Sequence, residues 1–139
     1  MIKIRIPGKP TGKQRARTLK TGFSYTPEKT INYENLIKLI YRESGGGYME
    51  GPLKAQVKIV FDIPKSTSKK NREKMMAGEL FPTKKPDIDN VQKIIFDALN
   101  GIAYKDDTQI ILVEAWKKYG EQPYVEVTLE EVMIDENNT

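Results

Sequence analysis

The sequence predicts a single small α+β domain, a mixed, mostly antiparallel sheet with flanking helices spanning residues 1–139. Two periodicities predict it: several segments alternate apolar and polar residues as strands do, and others repeat apolar residues at three-and-four spacing as helices do. A third observation sets the domain count. No internal repeat and no long linker divides the chain, and 139 residues suit one domain of ordinary size.

The elements follow in order. Ile2 to Ile6 alternates at period two and predicts a strand. Phe23-Ser24-Tyr25 offers a second, short one. Thr26-Pro27 opens a helix, with threonine as N-cap and proline in the first helical position. That helix runs to about Ser44, carries Tyr33, Leu36, Ile37, Ile40 and Tyr41 on one stripe, and ends at Gly45-Gly46-Gly47. Leu53 to Ile63 alternates through Val57, Ile59 and Phe61 as a long strand. Lys65 to Lys74 predicts a short helix ending at Gly78. Asp89 to Asn100 predicts another, stopped by Gly101 just past its end. Its residues Val91, Ile94, Ile95, Ala98 and Leu99 form a buried stripe, whereas Asp89, Lys93 and Asp97 fall on a polar face. Ile110–Tyr119 and Tyr124–Met133 then predict two antiparallel strands joined by a turn at Gly120-Glu121-Gln122-Pro123, a hairpin within residues 109–133. Glu136 to Thr139 should fray.

Composition removes whole classes of chemistry. The chain has no cysteine and no histidine. Disulfides, thiolate metal sites, histidine-ligated zinc, Ser-His-Asp triads and the usual neutral-pH general base are therefore excluded. An enzyme made from these residues must use carboxylates, lysine, tyrosine or a hard metal. The N-terminus alternates instead of forming an apolar run, and no segment approaches the roughly 20 apolar residues of a membrane span. A soluble cytoplasmic protein is the expectation.

The net charge of +4 hides an asymmetry. Residues 1–85 carry 19 Lys/Arg against 7 Asp/Glu, and residues 86–139 carry 4 against 12. A basic half beside an acidic half suits a polyanion-binding surface around a metal centre, although two unrelated solvated faces would look the same in composition. Placement favours the first reading. A basic arm, residues 8–20, holds Lys9, Lys13, Arg15 and Arg17 among Gly and Pro punctuation that precludes a helix. A basic loop, residues 64–86, holds Lys69, Lys70, Arg72, Lys84 and Lys85. These nine residues are the expected contacts to a nucleic-acid backbone. Tyr25 and Tyr33 lie near the arm, where each serves either as a stacking group or as a packing group.

The basic loop runs straight into acid. Asp87 and Asp89 stand one residue apart at the start of the acid-cluster helix, residues 87–100, and Asp106-Asp107 stand just beyond its end. Such clusters cost electrostatic energy unless a hard divalent cation or a lysine sits among them. Taken singly, each has a plain alternative: Asp89 as a helix cap, Asp106-Asp107 as a turn, and Asp89–Lys93–Asp97 as an exposed ladder.

The whole run is far more specific than its parts. Lys85-Pro86-Asp87-Ile88-Asp89-Asn90, then Lys93, Asp97-Ala98-Leu99-Asn100-Gly101 and Asp106-Asp107-Thr108-Gln109-Ile110, resembles the RusA family of Holliday junction resolvases. The opening Ile6-Pro7-Gly8-Lys9-Pro10, with Lys13-Gln14-Arg15-Ala16-Arg17 and Tyr25-Thr26-Pro27, is similar to the phage-type branch of that family.

The resemblance implies a RusA-like mixed α/β fold and a homodimeric endodeoxyribonuclease. It also implies paired symmetric nicking of four-way DNA junctions, in recombination and repair. It assigns Asp87, Asp89 and Asp107 as metal ligands, with Asp106 as the alternative third ligand, and Lys93 as the functional lysine. The implied cofactor is Mg²⁺, with Mn²⁺ as a substitute. Two rival readings stand beside it: a non-catalytic DNA-binding module, and a metal-dependent nuclease less selective for structure. For the dimer interface, the helix from Tyr33 to Tyr41 and the strand from Ile110 to Tyr119 are equal candidates.

Overall fold

A computed structural model describes residues 1–133. The fray expected at Glu136 to Thr139 lies outside the described residues. Four strands form one sheet: β1 (Ile2–Pro7), β4 (Leu53–Asp62), β5 (Ile110–Gly120) and β6 (Tyr124–Glu131), in the order β1-β6-β4-β5. A separate two-stranded ribbon pairs β2 (Arg17–Thr18) with β3 (Ser24–Tyr25). Three helices complete the fold: α1 (Glu28–Glu43), α2 (Lys69–Met76) and α3 (Ile88–Leu99). The expected α+β class, with a mixed and mostly antiparallel sheet, is what forms. β1 and β4 both pair antiparallel with β6, and only β4 with β5 is parallel.

The core fills one side of this sheet. Alternation in the strands turns Ile4, Ile6, Leu53, Ala55, Val57, Ile59, Val125, Val127 and Leu129 inward, where all are buried. α1 and α3 pack together across them. Tyr33, Ile37 and Tyr41 of the α1 stripe are buried, with Leu36 and Ile40 partly so. All five expected stripe residues of α3 are buried, and Phe96 joins them. Burial on this scale is the main favourable contribution to folding.

The C-terminal hairpin does not exist as a pair. β5 and β6 are consecutive and run in opposite directions, but β4 lies between them and bonds to both. Spanning one intervening strand means covering about 10 Å, within reach of the short link from Gly120 to Tyr124. The link passes tightly over the end of β4: a Cβ on Gly120 would lie 2.7 Å from Val60 Cγ1. Glycine is what permits that approach. β4 carries six buried residues, more than any other strand among the described residues, so burying it at the centre of the sheet outweighs closing a local hairpin. β6 also ends at Glu131 and not at Met133.

Smaller departures have local causes. Pro27 takes an extended ψ of 140° and sits before α1 instead of inside it, its carbonyl accepting from the Thr30 and Ile31 amides at 3.0 and 3.3 Å. Thr26 makes no cap. α3 begins one residue earlier than expected, because Asp87 caps it with an Oδ1–Asn90 N distance of 2.8 Å. The short strand expected at Phe23 to Tyr25 begins at Ser24, and its partner lies within the arm expected to be irregular. Ser68 caps α2, and Gly78, at φ +75°, lies just beyond its end.

Candidate active site

The candidate site is built on α3 and on the single 3₁₀ turn Asp107–Gln109 that follows it. The Asp87 carboxylate is committed at one oxygen to the helix cap, and Asp89 is exposed in the first turn, where the helix dipole favours an anion. Lys93, one turn further on, turns away from Asp89. Its Nζ lies 3.0 Å from Asp97 Oδ2 and donates to Oδ1 at 3.1 Å. Only the lower rung of the expected Asp89–Lys93–Asp97 ladder therefore forms. A second cation meets the same carboxylate: Lys13 Nζ stands 3.5 Å from Asp97 Oδ2 and 2.5 Å from Glu34 Oε1.

Two amides hold the acid pair in place. Asn100 Oδ1 accepts the Asp107 N–H at 2.9 Å and ties the turn to the end of α3. Gln109 Oε1 accepts from the Lys105 and Asp106 amides, while its Nε2 donates to the Met49 and Gly51 carbonyls. The adjoining loop is fixed by buried Tyr104, whose hydroxyl donates to the Phe96 carbonyl at 2.8 Å. The two acids differ sharply. Asp106 is exposed and accepts from the Thr108 hydroxyl at 2.8 Å. Asp107 is half-buried, and its carboxyl is raised above the usual carboxylate range by burial, then by repulsion from Asp106 and Asp97, with Lys93 opposing. Lys93 is in turn held charged, chiefly by its bond to Asp97 and more weakly by Asp107.

The carboxylates do not form one closed ligand set. Among the described residues, no three acidic side chains lie close enough together to hold a metal ion. Helix geometry contributes to this: at 1.5 Å per residue, Asp89 and the Asp97 level of α3 are about 12 Å apart along the axis. Asp87 and Asp89 stand at one end of the helix, and Asp107 joins Asp97 and Lys93 toward the other. In kind, the donors fit Mg²⁺. They are all oxygen, and Mg²⁺ keeps several waters and needs only one or two carboxylates.

The basic residues are brought together unevenly. Lys9, Lys84 and Lys85 line one cleft of about 370 Å³ with Phe61 and Pro86. Lys13 and Lys85 line a neighbouring cleft of about 450 Å³ that opens beside Asp87 and Asn90. The arm makes that second cleft by lying against the start of α3, where the Lys13 amide donates to the Asn90 carbonyl at 2.9 Å. Gly12 permits the contact, since a Cβ there would lie 2.9 Å from that of Asn90. Lys69, Lys70 and Arg72 lie apart on exposed α2, and Arg15 and Arg17 lie on the exposed ribbon side of the arm. Tyr33 is buried in the core, whereas Tyr25 is exposed.

Several residues in this arrangement escape a reading of the sequence. Lys117 donates to the Lys84 carbonyl at 2.7 Å and stands over the Phe61 ring at 5.1 Å from its centroid. Lys29 lines the second cleft, and Glu34 takes a share of Lys13 beside Asp97, which the sequence already places on the polar face of the helix. Glu34 comes from α1, distant in sequence from α3, and no local signal points to it. Asn100 and Gln109 did carry one, as amides flanking the acid pair.

The family model for endodeoxyribonuclease RusA matches residues 7–130. The chain belongs to the RusA endodeoxyribonuclease family. The match runs from the end of β1 nearly to the end of β6, so it takes in the arm, both clefts and every acid discussed above. A relative within reach of sequence comparison is the uncharacterized protein YqaN of Bacillus subtilis (strain 168). It is 36% identical over 137 residues, covering 94% of this chain and 96% of the relative. The RusA assignment fits a structure in which no helix among the described residues is long and apolar enough to cross a membrane.

Proposed function

We propose that this RusA-family chain is a Mg²⁺-dependent endodeoxyribonuclease that resolves four-way DNA junctions by paired, symmetric nicks in recombination and repair. The observation that carries this reading is the cleft lined by Lys13 and Lys85 that opens beside Asp87, in a chain matched by the RusA endodeoxyribonuclease model over residues 7–130. The family resemblance assigns Asp87, Asp89 and Asp107 to the ion, with Asp106 as the alternate and Mn²⁺ as a substitute for Mg²⁺; because they stand toward opposite ends of α3, one ion held by all three requires the two ends of the site to draw together around it. When bound, the metal supplies charge neutralisation at the scissile phosphate and a more acidic water.

The chain's own residues do the rest. Lys93, kept protonated by Asp97, neutralises a non-bridging phosphate oxygen as negative charge builds there. Lys9, Lys84 and Lys85 hold backbone phosphates along the first cleft, which positions DNA without reading its sequence. Lys13 is shared between Glu34 and Asp97, so its main role is to lock the arm onto the site.

Paired nicks require two such centres, and one chain carries one, so the active species is a homodimer. Of the two candidate interfaces, the apolar stripe of α1 is buried in the chain's own core. β5 is one of the two edges of the four-stranded sheet, β1 being the other, and it exposes Ile111, Leu112, Val113 and Trp116. An exposed apolar edge strand favours pairing with another chain, which supports β5 as the two-fold contact.

The test is nicking of a mobile four-way junction with and without Mg²⁺, with linear and flap DNA as competitors. Paired nicks at symmetric positions, lost in EDTA, are expected; equal cutting of all three substrates would show a less selective nuclease. The rival reading is a non-catalytic DNA-binding module. That module would bind junctions equally well in EDTA and never nick them.

A further inference from the structure

We propose that the β2–β3 ribbon is a base-stacking finger, with Leu19, Phe23 and Tyr25 receiving base faces laid open at the branch point of a DNA junction. The inference rests on the junction reading above and adds the element that recognises the branch. Residues 15–26 are exposed without a break, so the ribbon projects from the body of the protein. Its geometry is well defined. Arg17 pairs with Tyr25 and Thr18 with Ser24, the Leu19 amide donates to the Phe23 carbonyl at 2.7 Å, and Gly22 turns at φ +89°.

Alternation along this hairpin sorts its side chains by face. Thr18 and Ser24 fall on one face, their hydroxyls 3.3 Å apart. Arg17, Leu19, Phe23 and Tyr25 fall on the other. That face is uncovered by the chain's own core: Phe23 is 75% exposed, Leu19 52% and Tyr25 46%. A projecting hairpin has no folding reason to carry three large apolar groups on its open face.

Charge selects the occupant. Seven Lys/Arg precede the first acidic residue, Glu28. Among the described residues, Arg15, Arg17 and Lys20 take no part in any ion pair. Cations interleaved with exposed aromatic rings suit single-stranded or unstacked nucleic acid, where phosphates meet the charges and bases stack on the rings. A regular duplex offers no free base face, but a branch point does. Location agrees: the ribbon springs from Lys13, whose side chain reaches Glu34 and Asp97 and whose amide bonds to Asn90. The ribbon therefore continues from the segment of the arm that lies against the acid-cluster helix.

The experiment uses the full chain in EDTA, so that binding is read without cleavage. The probes are a four-way junction with 2-aminopurine at the branch point and a linear duplex of the same sequence. Wild type should prefer the junction and raise the 2-aminopurine fluorescence. Phe23→Ala should lower junction affinity roughly tenfold and abolish the fluorescence rise, with duplex affinity held within roughly twofold by the unchanged phosphate contacts. Phe23→Trp should restore the junction preference, and an unchanged melting temperature in each variant shows that the fold is intact. A Phe23→Ala protein that keeps its junction preference and its fluorescence rise overturns the finger. If that variant instead loses mass in sedimentation, the ribbon joins two copies of the chain and the inference is likewise overturned. A wild type with no junction preference at all removes the junction reading itself, and the finger falls with it.

Discussion

Lys93 straddles both oxygens of the Asp97 carboxylate, at 3.1 Å from Oδ1 and 3.0 Å from Oδ2, instead of reaching back to Asp89. The choice orients the lysine along α3 toward the Asp107 end of the site. Asp97 becomes the residue that aims Lys93, and its second cation, Lys13, links that aim to the arm.

Lys93→Ala should leave folding stability within about 1 kcal/mol, because the lysine it removes is exposed and Asp97 keeps Lys13 as a partner. Cleavage at saturating DNA should nonetheless slow by orders of magnitude. Thermal melting beside single-turnover kinetics checks this. A large loss of stability with unchanged kinetics would mark Lys93 as a structural partner of Asp97 alone.

Asp107→Asn should abolish nicking while junction binding survives, since the change removes a charge with little change of shape. Asp106→Asn should cost far less, because that side chain is engaged with Thr108 and exposed. The two variants are compared in one nicking assay. Dead Asp106→Asn beside active Asp107→Asn reverses the assignment.

Neutralising Arg15 and Arg17 together should weaken binding to every DNA sequence and flatten the salt dependence. The log–log slope should fall by roughly one unit for each phosphate that is no longer neutralised. Titrations across a range of salt read this directly, and an unchanged slope means the two guanidiniums touch no phosphate.

The β5 edge makes an optical prediction. Trp116 is the chain's one tryptophan and is 41% exposed in the single chain. Its emission should shift to the red on dilution as a dimer dissociates, and Val113→Glu should give that red-shifted emission at every concentration. Sedimentation at micromolar concentration supplies the mass. A wild type that stays at the mass of one chain, free and with junction DNA, excludes cleavage by a β5-paired dimer.

On the open face of the sheet, Glu126 accepts from Arg5 at 2.9 Å and stands 3.8 Å from Lys3. The Arg5 hydrogen bond is the main cause that lowers its carboxyl below the ordinary value of 4.5. A lowered folded-state value means that the unfolded chain binds the proton more readily, so the pair's contribution is present above 4.5 and lost as the pH falls through the folded value. Wild type should therefore lose stability below pH 4.5 more steeply than Glu126→Gln, as melting curves at a series of pH values would record. Parallel curves would mean the pair contributes nothing.

Much of this protein was legible before any fold was drawn. Each main strand and helix declares itself through local periodicity, because the side-chain period belongs to the backbone and not to the neighbours. The absence of histidine and cysteine limits the site to oxygen donors, and the motif from Lys85 to Ile110 pointed to the family that the whole-chain match then established. What tertiary structure alone decided is which elements and side chains meet. The residues of β5 and β6 fit a hairpin as well as they fit two strands separated by β4, since a four-residue turn segment is compatible with either. Only the burial of β4 on both edges distinguishes them. Lys93 has an acid one turn away in each direction, and sequence spacing is symmetric about it. Its preference for Asp97 follows from the folded surroundings, where Asp107 and Glu34 add attraction from elements distant in the chain. Coulomb attraction depends on distance through space, and distance through space is what a sequence leaves unstated.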